Sequence, residues 1–148
     1  MHPLYLHCRR HTDERVARLR AAIASVRQAR EADTKSSAGD KFETGRERLQ
    51  AEEDKLTAQL EEVLRGRRVL AILENPPAGE PGRARLGSLV ETDRGNFYLS
   101  VAAGRADWDG SSWFCVSPGS PVGRALNGCR AGDRLRQGER EIIVRSVS

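Results

Sequence analysis

Apolar residues recur along the first half of the chain with helical spacing. Val16, Leu19, Ile23 and Val26 follow one another at intervals of three, four and three, which gathers them into a single stripe of an α-helix. Thr12 precedes the run as an N-cap candidate, and Asp13 and Glu14 suit the positive end of the helix dipole. A second helix is expected from about Lys41, where Leu49, Leu56 and Val63 recur every seven residues with Leu60 between the last two. Its seam is interrupted, because Glu52 and Glu53 stand where another apolar residue belongs. The connecting stretch, Thr34-Lys-Ser-Ser-Ala-Gly-Asp40, is small and polar, as in a loop. Two apolar stripes joined in this way predict an antiparallel helical hairpin over 12–32 and 41–65. Neither stripe is wide enough for burial inside a globule. Helices of about 20 to 25 residues, at about 1.5 Å per residue, reach roughly 30–40 Å, a long probe for a small protein.

Gly66 is expected to end this pattern, and the second half reads as strands. Residues 69–73 form a short apolar run, and Asn75-Pro-Pro-Ala-Gly-Glu-Pro-Gly82 is a loop by its proline and glycine content. Further strands are expected at 87–91, 97–102, 112–116 and 141–147, with Asp93-Arg-Gly-Asn96 as a hairpin turn. One short helix is expected from Pro121 to about Asn127. The fold class is therefore α+β, with a helical hairpin over 1–66 and an antiparallel-sheet domain of four or five strands and one short helix over 67–148.

Composition narrows the setting. With 38% hydrophobic and 31% charged residues, the core is modest and the surface strongly charged. No run approaches the roughly 18 apolar residues that suggest a membrane span, and the short apolar patch before Arg9 and Arg10 is no secretory signal. Cys8, Cys115 and Cys129 form no even framework, which favours a reducing, cytoplasmic setting. Charge is uneven: residues 1–30 hold seven arginines against Asp13 and Glu14, whereas residues 31–65 hold ten acids against six bases. Such a division fits a protein that meets a polyanion in one place and avoids it in another, or two solvated helix faces of complementary charge.

The short helix carries the most informative stretch, Ser120-Pro-Val-Gly-Arg-Ala-Leu-Asn-Gly-Cys-Arg-Ala-Gly-Asp133. Ser120 can cap the helix and Pro121 fits the first helical position, where no N–H is needed. Val122, Ala125 and Leu126 share a face that can pack on the sheet, and Gly128 can end the helix in a left-handed conformation. This stretch resembles the C-terminal signature of the Gre family of bacterial transcript-cleavage factors, Ser-Pro-Leu/Ile-x-Arg-Ala-Leu-Leu-Gly-Lys-x-x-Gly-Asp. The resemblance extends to Gly87-Ser-Leu-Val-Glu91, to Trp113-Phe-Cys-Val-Ser-Pro118 and to the closing Ile142-Ile-Val-Arg-Ser-Val147. Asn127, Cys129 and Gly119 depart from the family pattern. The first half is similar too: the family's coiled-coil tip reads Gly-Asp-Leu-x-Glu-Asn, and here Gly39-Asp-Lys-Phe-Glu-Thr44 keeps the acids three apart, with Lys41 and Thr44 as the differences.

The resemblance implies a coiled-coil probe followed by an FKBP-like domain, in a factor with no catalytic site of its own. It implies that Asp40 and Glu43 act in trans, holding a second Mg²⁺ shared with RNA polymerase and promoting hydrolysis of backtracked RNA by two-metal chemistry. Without the family, the same acids are explained by the helix dipole. It further implies that the surface around Ser120, Pro121 and Val122 docks on the polymerase, and that basic residues of the coiled coil such as Arg27 and Arg30 lie near the RNA 3′ segment. Those arginines can equally pair with Glu47, Glu53 or Glu61 of the second helix. The expected partners are RNA polymerase and, within that complex, the backtracked RNA 3′ end, with no membrane and a monomeric chain. A related reading is a Gre homologue that occupies the same channel and inhibits transcription without stimulating cleavage.

Two other groupings are weaker. His7-Cys-x-x-His11, with His2 nearby, supplies half of a transition-metal site and has no counterpart in the family. Phe97, Tyr98, Trp108 and Trp113 invite comparison with a prolyl isomerase pocket, but fold analogy alone does not carry an activity, and core packing explains them.

Overall fold

The computed structural model describes residues 1–35 and 39–148, with every side chain outside residues 33–43. Two long helices come first, α1 (Pro3–Lys35) and α2 (Gly39–Glu74). Both exceed the lengths that their periodicity predicts. α1 begins at Pro3 because Leu4, Tyr5 and Cys8 extend its apolar stripe upstream and are almost wholly buried. His2 Nδ1 accepts the Leu4 N–H at 3.1 Å, so Thr12 is a buried residue within the helix and not its cap. The expected loop at 34–40 is narrowed from both sides, since Thr34 and Lys35 belong to α1 and Gly39 and Asp40 to α2. Residues 36–38 lie outside the described residues.

Gly66 does not end α2, and residues 69–73, expected as a strand, are its last turns. Val69, Leu70 and Leu73 sit at helical spacing, and Leu70 is buried in the core with the other two packed against it. Five apolar residues cannot by themselves distinguish a buried strand from a helix end. The glycine has another use: a Cβ there would touch Val101 Cγ1 at 3.4 Å, so the helix passes close to the chain after the second strand.

The chain forms two compact units, one of Thr12–Arg65 and one of Met1–His11 together with Gly66–Ser148. In the first, α1 and α2 pair antiparallel, with Val16, Leu19 and Val63 in the core and Leu56, Leu60 and Leu64 against them. The second holds β1 (Leu89–Thr92), β2 (Gly95–Leu99), β3 (Gly104–Trp108), β4 (Ser111–Val116), α3 (Pro121–Leu126), β5 (Arg134–Gln137) and β6 (Arg140–Val147). Their order across the sheet is β3-β4-β2-β1-β6-β5. Neighbours are antiparallel except β2 and β4, which pair in parallel with Phe97 opposite Phe114, so the sheet is mixed where an antiparallel one was expected. β3 and β5 were not foreseen.

Alternation along the strands separates two faces. Tyr98, Trp113 and Cys115 join Leu4, Tyr5, Cys8 and Leu70 in a core beneath the first turns of α1 and the last turns of α2. Val90, Leu99 and Val144 join Leu126 and Cys129 in a second core beneath α3. The architecture is α+β, two long helices and then a six-stranded mixed sheet with one short helix. Among the described residues no helix is long and apolar enough to cross a membrane.

Candidate docking face and hairpin tip

The motif helix is built as its sequence dictates. Ser120 caps α3, its Oγ accepting the Gly123 N–H at 3.1 Å and donating to the Ser117 carbonyl at 2.7 Å. Pro121 occupies the first turn. At the other end Gly128 has φ of 81° and donates its N–H to the Ala84 carbonyl at 2.7 Å, while Cys129 receives the Ala84 N–H at 2.8 Å. The turn after α3 is thereby stitched to the segment that enters the sheet. The Asp133 carboxylate closes the motif by accepting the Arg130 N–H at 2.8 Å.

A helix of six residues is too short to cover one face of a six-stranded sheet. Beside α3 the face stays open as a shallow concavity of about 320 Å³. Val122, Phe97, Phe114, Val116 and Ile142 line it, and Arg94, Arg140 and Gln137 stand at its rim. Phe97 and Phe114 meet with ring centroids 5.9 Å apart, and Phe114 keeps 42% of its surface exposed. An apolar hollow with a polar rim is a composition suited to protein docking, because water gains by leaving it.

Of the three residues expected to dock, Val122 lines the hollow and Pro121 is exposed at the start of α3. The Ser120 hydroxyl is engaged in both directions within the chain, which makes it a support of the face. Phe114, Phe97 and Ile142 escaped the sequence reading. For Phe114 the signal is the unbroken apolar run from Trp113 to Val116, which gives a strand with apolar residues on both faces.

Arg27 and Arg30 converge on one carboxylate. Arg27 Nε donates to Glu53 Oε1 at 2.5 Å, and Arg30 NH1 donates to Glu53 Oε2 at 2.7 Å and to Gln50 Oε1 at 2.5 Å. Glu53 is only 7% exposed although it sits on the apolar seam. Hydrogen bonds from Arg27 and then Arg30 hold its carboxyl below the usual carboxylate range. The interruption of the heptad pattern is thus a charged layer between the helices.

Asp40 and Glu43 are the second and fifth residues of α2, and their side chains lie outside the described residues. The histidines of the amino-terminal segment divide: His7 and His11 lie with ring centroids 6.2 Å apart, and His2 packs elsewhere. His2 packs edge-on to Trp108 at 4.4 Å, His7 Nε2 bonds the Ala103 carbonyl at 2.9 Å, and Cys8 is buried in the core. Among the described residues no three metal-binding side chains converge. Tyr98 and Trp113 are core residues, Trp108 packs against that core, and Phe97 borders the hollow.

No protein-family model matches the chain, and no curated protein matches it. Solved structures do. GreA factor homolog 1 (Gfh1) of Thermus thermophilus is 22% identical over 97% of this chain and 94% of its own, with a TM-score of 0.35. Gfh1 of Thermus aquaticus is 21% identical over 88% of this chain and 92% of its own, at 0.33. A third structure, of the transcription factor Gfh1, is 24% identical over 97% and 92%, at 0.33. Superpositions this loose carry no weight for function, which rests on the residues themselves.

Proposed function

We propose that this chain is a Gre-type factor that binds bacterial RNA polymerase through the open sheet face and offers its hairpin tip to the polymerase secondary channel. The observation that carries the reading is the placement of the Ser120–Asp133 signature. It folds as a capped helix at the border of an apolar hollow, where Val122 of the motif meets Phe97, Phe114 and Ile142. The Gly39-Asp-x-x-Glu tip stands about 80 residues earlier, in the family's order. Docking buries the hollow, and the arginines at its rim favour an acidic partner surface.

Asp40 and Glu43 then supply carboxylates to Mg²⁺ shared with the polymerase. That ion would help activate water for hydrolysis of backtracked RNA. In the sequence the two acids stand three residues apart near the start of α2, a spacing that suits one shared cation. One observation favours a second reading, a channel-binding inhibitor: Lys41 places a positive charge between the two acids. Mg²⁺ would be repelled by that charge, whereas phosphate would not.

Titration of core polymerase with the full chain tests docking. Pro121→Asp is expected to weaken binding by about tenfold or more, since a charge is forced against an apolar contact. Unchanged affinity with unaltered circular dichroism removes this face as the docking surface. A cleavage assay on a backtracked complex then separates stimulation from inhibition.

A further inference from the structure

The sheet unit holds a second concavity, of about 350 Å³, where the first residues of α1, the end of α2 and the start of the sheet come together. It shares no residue with the hollow beside α3. Tyr5, Tyr98 and His2 form an aromatic wall, the last two stacked with ring centroids 6.2 Å apart. Leu73, Leu89 and Pro76 add apolar surface, and the exposed Met1 and Ser148 stand at its border. Although the chain carries 25 lysines and arginines, none lines this cavity. Glu74, the last residue of α2, brings a carboxylate to it.

We infer that this cavity binds a small organic ammonium, with its charge against Glu74 and its apolar ring among the aromatic residues. The Tyr5 hydroxyl donates to Glu74 Oε1 at 2.9 Å, which holds the carboxylate beside the cavity and leaves Oε2 to accept from a bound N–H. Aromatic rings attract a cation over their faces and give apolar contact to the body that carries it. A few polar groups in a mostly apolar hollow of this size is the ordinary make-up of a small-molecule site.

The other side chains leave the cation unopposed. His2 Nδ1 accepts the Leu4 N–H at 3.1 Å, which needs an unprotonated nitrogen and therefore a neutral ring. Burial lowers the His2 pKa and keeps that ring uncharged at neutral pH. Burial also pushes the Tyr98 phenol up to about 12, so it stays protonated. An anion would meet the Glu74 carboxylate with no cationic side chain to offset it, and an uncharged ligand would forgo its attraction. A broad hollow suits a ring better than the linear stem of a lysine side chain.

Titration of the full chain with phenethylammonium, followed by backbone amide chemical shifts, tests the site. Saturable shifts are expected at Leu73, Gly87 and Leu89, which line this cavity, and not at Phe114 or Val116, which line the other. 2-Phenylethanol keeps the ring without the charge and should bind roughly fivefold more weakly, and 3-phenylpropanoate should not bind. Pentylammonium, which copies a lysine side chain, should also bind more weakly than the ring compound. Glu74→Gln should reduce phenethylammonium to the level of the alcohol. Tyr5→Phe releases the carboxylate without removing it and should keep the affinity within about twofold. Equal affinity for amine and alcohol overturns the proposal, as do shifts that never saturate, shifts centred on Phe114, or a preference for pentylammonium. So does a loss in Tyr5→Phe as large as in Glu74→Gln, because the bond between the two residues, and not the charge, would then govern binding.

Discussion

Gly123 illustrates how a single position can oppose its local propensity. It sits inside α3, where alanine would ordinarily stabilise the helix by about 1 kcal/mol. A Cβ at this site, however, would fall 2.0 Å from the Ser117 carbonyl oxygen. That oxygen accepts both the Ser120 hydroxyl and the Ser120 N–H, so it cannot move without loosening the cap. Overpacking of this kind costs about 1–3 kcal/mol, and the clash wins. Gly123→Ala is expected to lower Tm by roughly 5 °C, measured by thermal denaturation; an unchanged or higher Tm would show that the 117–120 turn yields freely. The motif's Gly-Asp ending and its capping serine were readable from residue types alone. The need for a glycine at 123 was not, because it depends on a carbonyl six residues back whose position only the folded turn defines.

Between the helices of the hairpin, Glu53 replaces one apolar rung by a carboxylate shared between Arg27 and Arg30. Its folded-state pKa is depressed, so its contribution to stability is present above the ordinary carboxylate range and is lost as pH falls through the folded value. The helical signal of the wild type should therefore melt earlier in acid than at neutral pH. Glu53→Leu restores the apolar seam, and exchanging a buried ion pair for packed hydrocarbon is often neutral or stabilising. That variant should keep its neutral Tm and lose much of the acid sensitivity. An acid response identical to the wild type would place the sensitive carboxylates elsewhere. At this scale the heptads at Leu49, Leu56 and Val63 made the hairpin legible, while the first and last turns of the two helices were not. Those turns bury their apolar residues against the sheet, so no pattern along the helix itself announces them. β3 and β5 were missed for different reasons. β3 and β4 are joined at Asp109-Gly110, both with positive φ, a strong hairpin signal flanked by few apolar residues. β5 is an edge strand, Arg134-Leu-Arg-Gln, with one half-buried apolar residue and charges that guard the edge.

For the molecule as a whole, the proposed function divides labour between docking and chemistry, and mutation can separate them. Asp40→Asn retains most of any capping ability while removing the charge. Cleavage of backtracked RNA should then fall steeply, with polymerase affinity kept, and Glu43→Gln should behave alike. The double variant should cost less than the sum of the two, since both side chains would serve one ion. Equal loss of binding and cleavage would mean that the tip acts as an anchor. The unit proposed to dock is itself not one continuous stretch of chain: Met1–His11 complete the core of Gly66–Ser148. Tyr5 bonds Glu74 at 2.9 Å and His7 bonds the Ala103 carbonyl, so the earliest residues find their partners among much later ones. During synthesis, the apolar side of that first segment emerges from the ribosome long before β4 exists to cover it. The sheet closes only when its two distant portions are both available, and until then Leu4, Tyr5 and Cys8 remain in water. Order of synthesis thus leaves this segment waiting for partners that are made much later.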